Sequence, residues 1–257
     1  MPIILKQAIA KVNLMLHITG KRGVFHEMQS IFAFINAIFD VLEFSTRFKF
    51  SDKSAEISGI KSKDNLIHKA RNFLIAHEPD LFIPSVRVIK VIPKGAGLGG
   101  GSSDAACFIN HVLNINEVSQ DKRLKIAKKA HVLGMDVPIF LHRYMYNSSF
   151  LLLEGIGKFE EIREIDCEDN LEISLFDSEA KLSTKAIFDN YKDDFEKKQK
   201  IDICNLSFLY NSKNSLQNTA ISMCPEILET LQKIKASGAK IARMSGSGPS
   251  CFGVYYE

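Results

Sequence analysis

The chain has 257 residues, 46% of them hydrophobic and 25% charged, and its 33 basic and 30 acidic side chains give a net charge of +3. This composition is typical of a globular protein and excludes the disordered, collagen-like and coiled-coil classes. The near balance of charges gives no general electrostatic case for binding a nucleic acid or a membrane, so we expect neither as a partner.

The N-terminal part of the chain begins with strand-like sequence. Residues 3–18 are mostly apolar and residues 27–49 are rich in β-branched and aromatic side chains, so both stretches predict strands. Asp64 is the expected N-cap of a helix whose apolar residues recur at intervals of three and four. A further strand is predicted at 86–92 and is ended by Pro93.

Beyond a glycine-rich loop, helices and strands are predicted in irregular order. The predicted helices lie at 103–113, 119–134, a short segment capped by Asp136, 184–199 and 224–238. The predicted strands lie at 150–154, at 171–176 and on either side of a second glycine loop at 245–248. Since strands and helices do not alternate regularly, we predict an α+β fold rather than a doubly wound parallel sheet.

The five cysteines are scattered, with no CxxC pair and no Cys/His cluster at zinc spacing. This pattern argues against a disulfide framework and a zinc site, and it favours a reducing compartment. The N-terminus lacks the layout of a signal peptide, and no apolar run approaches the ~18 residues of a membrane span. We therefore expect a soluble, cytoplasmic protein.

The glycine-rich loop reads P-K-G-A-G-L-G-G-G-S-S-D-A-A from Pro93 to Ala106 and holds five of the 15 glycines. Glycines allow positive φ, and successive N–H groups at a helix N-terminus can converge on an anion. Ser102 and Ser103 add hydroxyl donors and Lys94 adds charge. A flexible surface turn is the alternative, but so many glycines between ordered elements cost much backbone entropy. The loop is not a P-loop and lacks the acidic partner of a dinucleotide fingerprint.

This stretch resembles the phosphate-binding motif of the GHMP kinase superfamily, Pro-x-x-x-Gly-Leu-Gly/Ser-Ser-Ser. The triple glycine and the N-terminal A-K-V-N-L…G-K-R-G-V-F-H-E-M (10–28) are most similar to the branch that phosphorylates 4-diphosphocytidyl-2-C-methyl-D-erythritol. Four further blocks match in the same order: D-N-L-I (64–67), G-M-D-V-P-I-F (134–140), E-G-I-G (154–157) and M-S-G-S-G-P-S-C-F (244–252).

The resemblance implies transfer of the ATP γ-phosphate to the 2-hydroxyl of the methylerythritol unit, in the non-mevalonate pathway of isoprenoid biosynthesis. It implies ATP and Mg²⁺ as cofactors and a cytidine diphosphate-linked methylerythritol as the small-molecule partner. It also implies a two-domain α+β fold with the active site in a cleft between the domains. With a break near 143–150, the expected domains are an ATP-binding unit at 1–147 and a C-terminal unit at 148–257.

Two residues match the catalytic pair of these kinases. Asp136 is expected to take the proton of the attacking hydroxyl, because an alcohol is a poor nucleophile until its proton is removed. Lys11, in an otherwise apolar strand, would pair with Asp136 and keep the carboxylate ionised. It would also stabilise charge on the moving phosphoryl group. The alternatives are a helix cap for Asp136 and an outward-facing side chain for Lys11.

Five residues match positions that bind the cytidine end of the substrate. Asn13 and His26 are expected there, with His26 reading the Watson–Crick edge of cytosine. Phe25 stands where the family usually has Tyr, which keeps the stacking ring but loses a hydroxyl hydrogen bond. Phe188 is expected to stack across the cytosine, with core packing as the alternative, and Thr184 to contact the same group.

The resemblance assigns ATP to the glycine-rich loop and to Asn65, for which helix capping is the competing role. The loop residues expected to bind ATP are Lys94, Gly95, Ala96, Gly97, Leu98, Gly99, Gly100, Gly101, Ser102, Ser103 and Asp104. Outside the site, the charged run at 193–200 predicts a solvated helix face.

Three other functions compete with this interpretation. A homoserine or mevalonate kinase would keep the glycine loop but not the G-K-R-G-x-F-H-E block. A non-catalytic nucleotide-binding protein on the same fold would not need both Lys11 and Asp136. An RNA-associated protein is disfavoured by the near-neutral charge.

Overall fold

A computed structural model describes residues 3–45, 65–178 and 182–256. Within these ranges the strands are β1 (Ile4–Arg22), β2 (Phe25–Ser45), β3 (Ser85–Ile89), β4 (Phe150–Gly155), β5 (Ile162–Glu164), β6 (Glu172–Phe176), β7 (Ile241–Met244) and β8 (Cys251–Tyr255). The helices are α1 (Leu66–His77), α2 (Gly100–Ile115), α3 (Gln120–Lys129), α4 (Val137–Tyr146), α5 (Thr184–Asn190), α6 (Leu206–Asn211), α7 (Gln217–Met223) and α8 (Glu226–Ala236). The predicted α+β class is confirmed.

The strands form two antiparallel sheets. The larger has the order β1-β2-β4-β5, with β3 also paired to β2, and the smaller has the order β6-β8-β7. Strand β2 is long enough to pair with β4 through residues 28–33 and with β3 through residues 41–45. The 21-residue strand β2 therefore pairs with β4 near its beginning and with β3 near its end.

Strand β1 is buried on both faces. Its residues 8–18 are buried without alternation, as expected for a strand covered on two sides. Ala8 contributes to a cluster with helices α1, α2 and α4, Val12 to a cluster with strands β7 and β8, and Ile18 to a cluster with helices α5, α7 and α8. This strand thus connects three hydrophobic clusters, and it carries Lys11 and Asn13 into the middle of the molecule.

Several predicted boundaries differ from the structure. Helix α1 is capped by Asn65, whose side chain accepts from the Ile67 N–H, whereas the predicted cap Asp64 lies outside the described residues. The same holds for residues 46–49 of the predicted second strand. Helix α2 begins at Gly100, three residues earlier than predicted, because Gly99 takes a left-handed conformation that starts the helix.

The predicted helix at 184–199 is correct only as far as Asn190, so the prediction of a helix for the charged run at 193–200 is wrong. In this run the backbone N–H groups of Glu196 and Gln199 bond the Ile18 carbonyl and the Gln29 side chain. Tertiary hydrogen bonds to the β1–β2 hairpin replace the local hydrogen bonds of a helix. Similarly, the helix predicted to reach Gly134 ends at Lys129 and continues as a 3₁₀ turn at Ala130–Val132.

The predicted boundary between residues 147 and 148 stays a prediction. It falls in the loop between α4 and β4, and β4 and β5 pair in the same sheet as β1 and β2. A separation of the chain at this point would therefore divide a hydrogen-bonded sheet.

Candidate active site

A cavity of about 770 Å³ lies between the larger sheet, the glycine-rich loop and the C-terminal helices. Most of the residues predicted for the site line it: Lys11, Asn13, Phe25, His26, Asn65, Lys94, Gly95, Ala96, Gly97, Gly99, Gly100, Gly101, Ser102, Asp104, Asp136, Thr184 and Phe188. The cavity thus brings together residues from both halves of the chain.

Two predicted ATP-binding residues do not line this cavity. Leu98 is 3% exposed and belongs to a hydrophobic cluster. Ser103 is fully buried, and its hydroxyl bonds the Ile9 carbonyl at 2.7 Å and the Tyr144 hydroxyl at 2.7 Å. Ser103 therefore ties helix α2 to β1 and α4, and in this conformation its hydroxyl is used within the fold.

The glycine-rich loop is held in its shape by the second glycine loop. Gly95, Gly97 and Gly99 have φ values of 68°, 76° and 73°, a region that favours glycine. The Gly97 carbonyl accepts from the Ser245 hydroxyl at 3.1 Å, and the Ala96 carbonyl accepts from the Ser250 N–H at 3.1 Å. The N-terminus of α2 then faces the cavity with free backbone N–H groups, which is a favourable place for an anion.

Lys11 and Asp136 face one another beside this loop. The Lys11 Nζ lies 3.6 Å from Asp136 Oδ2, and it donates to Asn13 Oδ1 at 2.5 Å and to the Gly97 carbonyl at 2.9 Å. The Lys11 side chain is 4% exposed and that of Asp136 is 39% exposed. A buried ammonium thus points at a carboxylate that remains accessible from the cavity.

The position of Asp136 agrees with only part of the helix-cap alternative. It occupies the N-cap position of α4, but its side chain makes no capping hydrogen bond. The carboxylate is therefore not used by the helix backbone.

The aromatic end of the cavity contains four of the five residues predicted for the cytidine end, Phe25, His26, Thr184 and Phe188. The rings of His26 and Phe188 have centroids 5.1 Å apart, and Phe25 is 48% exposed. Phe188 both packs against a hydrophobic cluster and lines the cavity, so core packing does not exclude its predicted stacking on cytosine, which stays a prediction. The Thr184 hydroxyl bonds that of Ser247 at 2.8 Å, which joins α5 to the second glycine loop.

Asn13 has both ends of its side-chain amide hydrogen-bonded within the protein, although it also lines the cavity. Its Nδ2 donates to the Ser30 hydroxyl at 2.8 Å, while its Oδ1 accepts from Lys11. The residue is 3% exposed. In this structure Asn13 orients Lys11, a role that its sequence context did not suggest.

A buried charge cluster that the sequence did not reveal borders the cavity through Lys90 and Asp104. Lys90 Nζ bonds Asp40 and lies 2.7 Å from Asp104 Oδ2, and Asp40 also accepts from the N–H groups of Val91 at 2.6 Å and Ile92 at 2.8 Å. Asp104 Oδ1 is buried and has no hydrogen-bond partner among the described residues. Burial raises the pKa of Asp104 to about 7, and the nearby Asp40 adds to this against the effect of Lys90.

We expect Asp104→Asn to flatten the dependence of stability on pH. Because the pKa of Asp104 is raised from 3.8 to about 7, the folded state binds more protons than the unfolded state between these values, and stability falls as pH rises through this window. From about pH 5 to about pH 7 the unchanged protein should lose stability relative to the variant by up to about 1.4 kcal/mol per pH unit. Urea unfolding at a series of pH values measures the free energy of unfolding of both proteins. If the two free energies changed in parallel with pH, the expectation would be wrong.

No cluster of three or more His, Cys, Asp or Glu side chains able to hold a metal occurs in the described ranges. None of the helices in these ranges is long and apolar enough to span a membrane.

Comparisons with known proteins agree on one family. The N-terminal domain of GHMP kinases matches residues 65–144 and the C-terminal domain matches residues 194–257. A curated protein of Ehrlichia canis named 4-diphosphocytidyl-2-C-methyl-D-erythritol kinase is 35% identical, with 100% of this chain and 91% of the relative covered. A protein of Bartonella tribocorum with the same name is 31% identical, with coverages of 95% and 84%.

Solved structures give the same result for the fold. A crystal structure of 4-(cytidine 5'-diphospho)-2C-methyl-D-erythritol kinase is similar, with a TM-score of 0.77, 25% identity and coverages of 98% and 90%. Homoserine kinase from Cytophaga hutchinsonii shares the fold, with a TM-score of 0.68, 14% identity and coverages of 99% and 85%.

Proposed function

Since the chain belongs to the 4-diphosphocytidyl-2-C-methyl-D-erythritol kinase family of GHMP kinases, we propose that it phosphorylates 4-diphosphocytidyl-2-C-methyl-D-erythritol at the 2-hydroxyl. ATP is the phosphate donor, and the products are ADP and the 2-phosphate, an intermediate of the non-mevalonate pathway of isoprenoid biosynthesis. The observation that carries this proposal is the Lys11–Asp136 pair, which lies in the same cavity as the glycine loop and the aromatic cluster.

The phosphates of ATP lie against the glycine-rich loop in this proposal. The free N–H groups at the start of α2 face the cavity, and Lys94 and Ser102 line the same wall. Asn65 and the Lys90 cluster line the part of the cavity next to α1 and β3, where the adenosine would lie. ATP is thus bound mainly by backbone groups and by a few polar side chains.

The chemical step needs a group that accepts the proton of the 2-hydroxyl. Asp136 fills this role because its carboxylate is accessible and makes no helix-cap hydrogen bond. The Lys11 ammonium faces the Asp136 carboxylate and, through its hydrogen bond to the Gly97 carbonyl, lies close enough to the loop to stabilise charge on the transferred phosphoryl group. Asn13 keeps the Lys11 ammonium in place.

The cytidine end of the acceptor binds at the aromatic cluster. His26 meets the edge of the base, Phe25 and Phe188 cover its faces, and Thr184 lines the adjoining wall. Because Phe25 has no hydroxyl, the binding of the base depends more on stacking.

Mg²⁺ is proposed to enter with ATP. The described residues offer single oxygen donors along the cavity, such as Ser102, but no cluster that would make an all-protein cage. This donor set suits Mg²⁺, which commonly binds proteins through substrate phosphates and water with few side chains. When bound, the ion neutralises phosphate charge.

We place the reaction in the cytoplasm, which is supported by the five free thiols of the chain.

A coupled ADP-release assay tests the proposed function. It compares 4-diphosphocytidyl-2-C-methyl-D-erythritol, homoserine and mevalonate as acceptors with ATP, with and without Mg²⁺. We expect turnover with the cytidyl acceptor alone and loss of turnover after chelation of the metal. Turnover with another acceptor would contradict the substrate assignment. ATP binding without turnover of any acceptor would favour a nucleotide sensor.

A further inference from the structure

His26 packs against two aromatic rings. It is the second residue of β2, pairs with Lys21 of β1 across the hairpin and lines the cavity. The Phe188 ring lies at a centroid distance of 5.1 Å and the Tyr191 ring meets the imidazole edge-on at 5.9 Å. These contacts restrict the plane of the imidazole.

The imidazole of His26 also has a polar contact, with the carboxylate of Asp193. Its Oδ1 lies 3.3 Å from His26 Nε2, and its Oδ2 lies 2.6 Å from Lys21 Nζ. The Asp193 backbone has a φ of 56°, a left-handed conformation that is uncommon for a residue other than glycine. The tertiary contacts of the 193–200 segment therefore hold this carboxylate over the hairpin.

A carboxylate only accepts hydrogen bonds, so His26 Nε2 must carry the proton in this arrangement. The hydrogen bond from Lys21 lowers the pKa of Asp193, so the carboxyl group remains an acceptor at neutral pH. His26 Nδ1 makes no hydrogen bond to any described residue. In a neutral imidazole protonated at Nε2, Nδ1 is an acceptor.

An accepting nitrogen distinguishes the two common pyrimidines. Cytosine carries an amino group at position 4, which donates, whereas uracil carries a carbonyl there, which only accepts. A base that meets Nδ1 through this position forms a hydrogen bond if it is cytosine and places two acceptors together if it is uracil.

We propose that Asp193 is a positioning residue that selects the Nε2-protonated form of His26 and so sets the preference of the site for cytosine over uracil. This inference rests on the proposed function for the placement of the base. Asp193 itself does not touch the reacting atoms, and it acts through His26.

The first test is kinetic and compares Asp193→Ala with Asp194→Ala. Asp194 is the neighbouring acidic residue, and its carboxylate makes no hydrogen bond or ion pair with His26 or Lys21. We expect Asp193→Ala to raise KM for the cytidyl acceptor by up to about tenfold with kcat changed less than about twofold, the effect of losing one hydrogen bond between His26 Nδ1 and the amino group of the base. Asp194→Ala should leave both constants unchanged, and Asp193→Asn, which keeps an accepting oxygen, should restore part of the loss.

The second test does not depend on turnover. Long-range ¹H–¹⁵N NMR spectra should report the Nε2-protonated form of His26 in the unchanged protein and a mixture of forms in Asp193→Ala. Calorimetry with cytidine diphosphate and uridine diphosphate should give a preference for the former that falls in this variant. If His26 has the same tautomer in Asp193→Ala and Asp194→Ala, and both variants prefer cytidine diphosphate over uridine diphosphate to the same extent, the inference is wrong. Absence of kinase activity in the unchanged protein would instead contradict the proposed function.

Discussion

Replacing Asp136 with alanine is expected to lower kcat by about 10²–10⁴-fold, the contribution of a well-placed proton acceptor. The substitution removes the carboxylate that lies 3.6 Å from Lys11. ATP binding should change little, because the glycine loop and its hydrogen bonds to the second loop do not involve Asp136. Steady-state assays with the cytidyl acceptor and calorimetry with ATP measure the two effects separately.

This variant loses no helix cap, because the Asp136 side chain makes no cap hydrogen bond to α4. Its removal takes the counter-charge from the buried Lys11 ammonium, which keeps its hydrogen bonds to Asn13 and to the Gly97 carbonyl, so any loss of stability is expected to come from Lys11. Asp136→Asn is the matched variant, because it keeps the size of the side chain and loses its basicity. If either protein kept more than about a tenth of the kcat, the role of Asp136 as proton acceptor would be wrong, since positioning alone would then suffice.

Gly97→Ala is expected to destabilise the protein by about 2–4 kcal/mol. A Cβ at this position would lie 2.3 Å from the Ser245 carbonyl oxygen and 3.0 Å from that of Gly248, and backbone atoms cannot move aside as a flexible side chain can. The φ of 76° adds conformational strain. Activity should fall as well, because the Gly97 carbonyl holds the Lys11 ammonium.

Gly95→Ala is the matched control for this effect. Gly95 also has a positive φ, of 68°, but a Cβ there meets no atom of the described residues within 4 Å. Its substitution should therefore cost only the backbone strain, roughly 1–2 kcal/mol. Urea unfolding of the two variants measures the difference. Equal losses would show that the packing between the glycine loops contributes little to stability.

Local pattern was enough to predict the parts of the site that depend on local geometry. The glycine-rich loop before a helix, the strand that carries Lys11 and the short helix after Asp136 all follow from backbone preferences within a few residues. The α+β class followed from the irregular order of the elements. The resemblance then supplied residues that no spacing could relate, such as Lys11 and Asp136, which are 125 positions apart in the sequence and face one another in the structure.

The rest depends on contacts between distant segments. Asp40 lies fifty residues before Lys90, so no motif could show that they form one buried cluster with Asp104. Asp193 belongs to a charged run whose composition indicates a solvent-exposed helix, and only its packing on the β1–β2 hairpin brings it to His26. Ser103 points inward because its hydroxyl bonds the Ile9 carbonyl and the Tyr144 hydroxyl, and only tertiary packing brings these groups next to it.

The buried Arg243 of β7 has a consequence for how the site is assembled during synthesis. Its guanidinium donates to the Leu14 and Leu209 carbonyls and to Ser212, and burial lowers its pKa to about 10. The loop that follows it supplies the Ser245 contact to Gly97. The candidate active site therefore joins the chain's early strand β1 to its late strands, and a nascent polypeptide cannot complete it until β7 and this loop have left the ribosome. Until then, β1 must remain accessible or be covered by other segments.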